Sequence, residues 1–199
     1  MPSLVFLPGA GGSMSFWRPV ADRLADLGPT RVLGYPGFGE LPADPTLGSL
    51  GDLFGAVVQQ MPAGPSHLIA QSMGGVLAVR VAIERPELVS RLVLVATSGG
   101  VDMARLGGAD WRREYRASRP SVPSWFIDDR TDLTDRLRCI RAPTLLLFGD
   151  QDPIAPVSVA LFLGERIADS HIVAVAGGTH ALANERPDEV ASIIRDHLA

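Results

Sequence analysis

Ser72 stands in the run AQSMGG (residues 70–75), where the apolar stretch SHLIAQ gives way without a linker to MGGVLAVRVAIERP, an amphipathic helical pattern. A serine at so tight a strand-to-helix turn is a candidate nucleophile, because the turn presents its hydroxyl beyond the carboxyl end of a strand, where open parallel sheets bind ligands. Ala70 and Gly74 lie two residues to either side and Gly75 adds further room, as a crowded backbone requires. The same turn places the Met73 amide at the positive end of a helix, where it can stabilise the oxyanion of an acyl transfer.

A serine hydroxyl is too weakly acidic to attack unaided and needs a base on the same edge of the sheet. Of the four histidines, only His180, in AVAGGTHALANERP, follows the end of a strand pattern. His67 and His171 fall at strand starts, on the far edge, and His197 lies near the end of the last helix. The acid that orients the base should also follow a strand. TLLLFGDQDPIAP offers Asp150 and Asp152. Asp150 directly follows the turn glycine and is expected to bond the loop backbone, as aspartates at turns do, which favours Asp152. A second oxyanion donor is expected from LPGAGGSMSFW, where Gly9 and Gly11 let the backbone approach a substrate; the Ala10 amide is the first choice and that of Gly11 the second. A phosphate-cradling role for GAGGS fails on spacing, since it is not G-x-G-x-x-G and no acid ends the second strand.

These residues need a scaffold that brings several strand ends together. Near-continuous apolar runs at 3–8, 30–36, 66–71, 91–97, 143–149 and 170–178 read as buried strands. Amphipathic runs at 15–27, 46–61, 73–86, near 156–166 and at 187–198 read as helices between them. The alternation predicts a three-layer α/β/α sandwich around a mostly parallel six-stranded sheet. Residues 99–140 break the rhythm: they hold no convincing strand and are rich in arginine, aspartate and tryptophan. The expected organisation is a core of residues 1–98 and 141–199 with a short helical lid inserted at 99–140.

Composition narrows the chemistry. The 199 residues carry a net charge of −4, which disfavours nucleic acid and anionic membranes as partners. All 18 basic residues are arginine, so lysine Schiff bases, P-loop lysines and Ser-Lys dyads are excluded. Cys139 is the single cysteine, and neither an internal disulfide nor a cysteine-built metal site can form. The N-terminal run SLVFLPG is too short for a signal peptide, and no stretch approaches a membrane span, so a cytoplasmic protein is expected.

Taken together, LPGAGGSMSFW, AQSMGG, FGDQDPIAP and GGTHALANERPDEV, each after a strand and in this order, resemble the oxyanion loop, nucleophile elbow, acid loop and histidine loop of the α/β-hydrolase fold family. The resemblance spans nearly the whole chain. It implies Ser72 as nucleophile, His180 as base, Asp152 as acid and the amides of Ala10 and Met73 as oxyanion hole, with no metal or organic cofactor. Three features depart from the family pattern. Ala70 replaces the usual first glycine of the elbow, Pro8 stands where a histidine is usual, and the N-terminal antiparallel hairpin is lacking. The last leaves a sheet edge open, so a homodimer is expected as readily as a monomer.

The expected activity is hydrolysis of carboxylic esters or thioesters of small to medium acyl groups. Phe16 and Trp17 are candidates to line the acyl pocket, and Trp111 to close over it. The local excess of arginine over 101–120, with Arg113 as the test residue, would suit a carboxylate or phosphate on the substrate. That excess sustains an alternative, a lyase or C–C bond hydrolase on an anionic substrate, similar to the menaquinone-pathway synthase branch of the family.

Overall fold

In the computed structural model, which describes residues 1–120 and 122–199, six strands form one sheet. They are β1 (Ser3–Leu7), β2 (Thr30–Val32), β3 (Ser66–Gln71), β4 (Val89–Val95), β5 (Thr144–Gly149) and β6 (Ser170–Val175). Their spatial order is β2-β1-β3-β4-β5-β6, and all five pairings are parallel. Every strand therefore ends on the same edge. The chain leaves β1 towards β2 on one side and returns to β3 on the other, so the order reverses between β1 and β3. In open sheets that reversal opens a crevice beyond the carboxyl ends, here between the loop after β1 and the turn after β3.

Among the described residues eight α-helices accompany the strands: α1 (Arg18–Arg23), α2 (Leu50–Gln60), α3 (Met73–Glu84), α4 (Arg112–Ser118), α5 (Ser124–Asp128), α6 (Val157–Gly164), α7 (Leu182–Glu185) and α8 (Pro187–Leu198). Side-chain alternation along each strand splits the core into two layers. Val5, Leu7, Leu68, Ala70, Leu92 and Leu146 pack with Leu53 of α2, Leu77 of α3 and Leu163 of α6. Leu4, Phe6, Ile69, Val93 and Leu145 face the other way, against Val20 of α1 and Val190 and Ile194 of α8. The interior strands β3 and β5 are buried along their whole length, which is why they read as near-continuous apolar runs rather than alternating ones.

Three elements are shorter than their patterns suggest. The run 15–27 forms a single short α-helix flanked by 3₁₀ turns at Met14–Phe16 and Ala25–Leu27, because Pro19 sits in the first turn of α1 and Gly28 ends the run. The run 30–36 pairs with β1 only over Thr30–Val32, and beyond it Pro36 leads into a loop whose Tyr35 and Phe38 plunge into the core. Helix α2 starts at Leu50 rather than 46, where the Ser49 hydroxyl accepts from the Asp52 amide at 3.1 Å and donates to the Asp52 carboxylate at 2.7 Å. Residues 99–140 hold no strand among those described. They carry α4, α5 and 3₁₀ turns at Met103–Leu106 and Thr134–Cys139. Among the described residues no helix is long and apolar enough to cross a membrane.

The close approach of β1 and α3 rests on Gly74. A Cβ there would lie 2.5 Å from both the Leu7 and Pro8 carbonyl oxygens, which are backbone atoms with nowhere to go. Alanine normally stabilises a helix over glycine by about 1 kcal/mol. At this position Gly74→Ala is expected to destabilise the protein by about 1–3 kcal/mol in urea unfolding, and a variant as stable as its parent would contradict this packing.

Candidate active site

Ser72 joins β3 to α3 with φ 53° and ψ −120°, a left-handed backbone that an L residue enters only when its surroundings force it. Both of its backbone groups are held. The amide donates to Val95 O at 3.2 Å, and the carbonyl accepts from the Gly75 amide at 2.9 Å and the Thr97 hydroxyl at 2.6 Å. Thr97 is buried, and its hydroxyl also accepts from the Gly99 amide at 3.1 Å. Ala96, beside it at the end of β4, is the other non-glycine residue with positive φ among those described (44°). Backbone strain is thus concentrated at one point on the sheet edge.

The structure brings Ser72, His180 and Asp152 together. His180 Nε2 lies 3.1 Å from Ser72 Oγ, and His180 Nδ1 lies 2.7 Å from Asp152 Oδ2. The other carboxylate oxygen, Asp152 Oδ1, accepts from the amides of Ile154 at 2.8 Å and Ala155 at 3.1 Å. The Asp152 side chain is wholly buried, whereas His180 keeps about a quarter of its surface open. A carboxylate so placed accepts the Nδ1 proton of a neutral imidazole, which leaves the Nε2 lone pair facing the serine hydroxyl. Asp150 instead accepts from the Gly177 amide at 2.6 Å and ties the acid loop to the histidine loop. The two loops meet where Gly149 and Gly178 touch with no side chains between them, and the Gln151 amide donates to Gly178 O at 2.9 Å.

Gln71, which the motif reading passed over, links three segments. Its side-chain amide donates to the His180 carbonyl at 3.1 Å, and its carboxamide oxygen fills the space above Gly9 that a Cβ would take. A buried polar residue directly before the candidate nucleophile is the sequence signal that could have marked it. In the loop after β1, Gly9 O accepts from the Gly12 amide at 2.9 Å. Because the peptide is trans, the Ala10 N–H points away from that turn. Among the described residues neither this amide nor that of Met73, at the start of α3, is spent on a backbone acceptor.

A cavity of about 720 Å³ opens over Ser72, His180, Ala10, Gly11, Gln71 and Met73. Trp111, Tyr115 and Phe126 of the 99–140 segment form its apolar wall, with the Trp111 and Phe126 rings stacked at 5.4 Å. Trp17 is not part of it. That side chain is fully buried beneath α1 against Phe6, and its indole N–H donates to Leu7 O at 3.1 Å. Phe16 packs edge-on to Trp17 in the same core layer and does not line the cavity either. The pocket-lining expectation for these two residues is therefore corrected: they lead into α1 and pack into the core layer beneath it. Gly9 lies beneath the cavity floor, and Arg113 is exposed on α4 without reaching the cavity. The arginines that do line it are Arg112, Arg119 and Arg130, and they share the wall with Asp102, Asp110, Asp129 and Asp132. At the cavity wall these four aspartates, of which Asp129 and Asp132 lie beyond residue 120, offset the positive charge.

The other histidines stand apart. His67 is buried in β3 and His197 half-buried in α8, and burial lowers both pKa values, with Arg91 adding repulsion. His171 lies at the exposed start of β6.

A sequence model of the alpha/beta hydrolase family matches residues 4–135. The pimeloyl-[acyl-carrier protein] methyl ester esterase of Aeromonas salmonicida is 26% identical over 98% of this chain and 94% of its own. The 2-hydroxy-6-oxononadienedioate/2-hydroxy-6-oxononatrienedioate hydrolase of Klebsiella pneumoniae is 27% identical over 96% and 84%. A longer relative, the biotin biosynthesis bifunctional protein of Cellvibrio japonicus, is 25% identical over 98% of this chain, which spans 47% of it. The meta-cleavage product hydrolase of Pseudomonas fluorescens shares the fold, with a TM-score of 0.83 at 18% identity over 99% of this chain and 90% of that one.

Thr97 tests how the serine turn is held. Thr97→Val keeps the shape but leaves the buried Gly99 amide without its acceptor and removes one donor from the Ser72 carbonyl, and should cost about 1–3 kcal/mol. Unchanged stability on urea unfolding would contradict the assignment.

Proposed function

The chain belongs to the alpha/beta hydrolase family, and on that premise we propose that it is a serine hydrolase of carboxylic esters with small to medium acyl groups. The observation that carries this reading is the unbroken line from Asp152 through His180 to Ser72, at 2.7 and 3.1 Å, ending on a serine in a strained turn at the floor of a cavity. Ser72 Oγ attacks the ester carbonyl as its proton passes to His180 Nε2. The resulting imidazolium is stabilised by buried Asp152, whose own protonation is not required. Negative charge on the carbonyl oxygen is met by the amides of Ala10 and Met73. Collapse of the intermediate breaks the bond to the alcohol, which takes the proton from His180, and leaves the acyl group on Ser72. Water enters, gives a proton to His180 and attacks the acyl carbonyl; the bond to Ser72 Oγ then breaks, His180 returns the proton to that oxygen, and the acid leaves.

Residues 99–140 serve as a lid in this scheme, their aromatic side chains covering the acyl group and shielding the site from water. A second reading, cleavage of a carbon–carbon bond in an anionic substrate, draws on the Klebsiella pneumoniae relative, whose name gives a dicarboxylate substrate. The mixed charge of the cavity wall favours the neutral ester.

Hydrolysis of p-nitrophenyl esters from acetate to palmitate tests the proposal. Turnover is expected to be highest on the shorter esters and to decline towards palmitate, whose long chain must pass the aromatic wall of Trp111, Tyr115 and Phe126. Ser72→Ala should abolish it, and Asp152→Asn should lower kcat by about 10²–10⁴-fold through loss of the correct imidazole tautomer. Substantial turnover by Ser72→Ala would exclude Ser72 as the nucleophile.

A further inference from the structure

The Tyr115 hydroxyl reaches out of α4 and donates to the Ala10 carbonyl at 2.5 Å. This bond crosses from the 99–140 segment to the loop after β1, and it closes a ring of contacts. Gly12 of that loop packs directly on the backbone at Phe38 and Gly39, so closely that no Cβ would fit. The Phe38 ring meets Phe126 edge-on at 5.5 Å, and Phe126 meets Tyr115 at 5.8 Å. From Tyr115 the hydroxyl returns to Ala10, two residues from the start. Phe38 is buried in the core, so the ring is anchored to the body of the protein.

The consequence follows from peptide geometry. The Gly9 carbonyl, bonded to the Gly12 amide, fixes the plane that carries the Ala10 N–H. Tyr115 fixes the next plane by its carbonyl. With both planes held, Ala10 has no free rotation left. Without the hydroxyl, the Ala10 carbonyl would lose this partner, and its dipole would be free to turn towards the oxygen on which negative charge develops. Burial raises the Tyr115 pKa to about 12, so the phenol remains a donor throughout the neutral range.

We propose that Tyr115 is a positioning residue: its hydroxyl holds the Ala10 carbonyl away from the oxyanion, leaving the Ala10 amide, already turned by the Gly9–Gly12 bond, to face it, so that the loop is competent only while α4 is seated against it. The proposal rests on the ester-hydrolase reading above. It gives the lid a part in the chemical step beyond covering the substrate.

Tyr115→Phe removes the hydroxyl and keeps the ring, with its contacts to Trp111 and Phe126. On p-nitrophenyl butyrate its kcat is expected to fall about tenfold, a fraction of the 10²–10³ lost when an oxyanion donor is deleted outright, with KM changed less than about twofold. Phe126→Leu, which loosens the ring while leaving the hydroxyl in place, should lower kcat in the same direction by a smaller factor. A parent-like kcat in Tyr115→Phe overturns the proposal, and so does a raised KM at constant kcat, which marks a group that only binds substrate. Failure of the underlying reading looks different: the parent protein would not hydrolyse the ester, or Ser72→Ala would hydrolyse it undiminished, and the proposal would fall with it.

Discussion

The left-handed backbone at Ser72 is the constraint on which the rest of the architecture depends. A non-glycine residue held at φ 53° costs about 1–3 kcal/mol that the surroundings must offset. The offsets are visible on every side. β4 accepts the serine amide, Gly75 and Thr97 donate to its carbonyl, and Gly74 lets α3 rest on the end of β1. Gly75 in turn leaves the space that Thr97 fills, and Gly9 leaves the space for Gln71. A turn satisfied in this way is rigid, and a rigid turn can hold one hydroxyl at hydrogen-bond distance from an imidazole delivered by a loop over 100 residues further along the chain.

Parallel strand order does the rest. Since all five pairings are parallel, the loops after β1, β3, β5 and β6 emerge on one edge, and each brings one residue to the candidate site: Ala10, Ser72, Asp152 and His180. The 99–140 segment then covers this edge through an aromatic cluster centred on Phe126, which touches Phe38, Trp111 and Tyr115. The scaffold is held by apolar burial on both faces of the sheet, while the site is held by a small set of buried polar bonds between loops.

Much of this was legible in the sequence because its causes are local. Fully buried strands such as SHLIAQ and TLLLFG announce themselves as apolar runs, and the elbow does so by its small residues. Asp152 was separable from Asp150 because the residue next to the turn glycine was expected to serve the backbone, and Asp150 indeed accepts from Gly177. What escaped had non-local causes. Whether Trp17 faces a pocket or the core depends on where α1 docks, which periodicity cannot distinguish. The bonds from Gln71 to His180 and from Tyr115 to Ala10 join residues about 105 or more positions apart and follow from the folded topology alone. The arginine excess of 101–120 misled for a related reason: of its arginines only Arg112 and Arg119 reach the cavity, where Asp102 and Asp110 are joined by Asp129 and Asp132 from further along the chain.

The central claim is that Ser72 is an activated nucleophile in an ester-sized cavity. Intact-mass and peptide-mapping spectrometry after treatment with a p-nitrophenyl phosphonate tests it most directly, because the reagent reports only a serine that attacks. The account predicts one adduct per chain, on the peptide carrying Ser72, that slows in the presence of a competing short-chain ester. No adduct, or an adduct on any other residue, would contradict it.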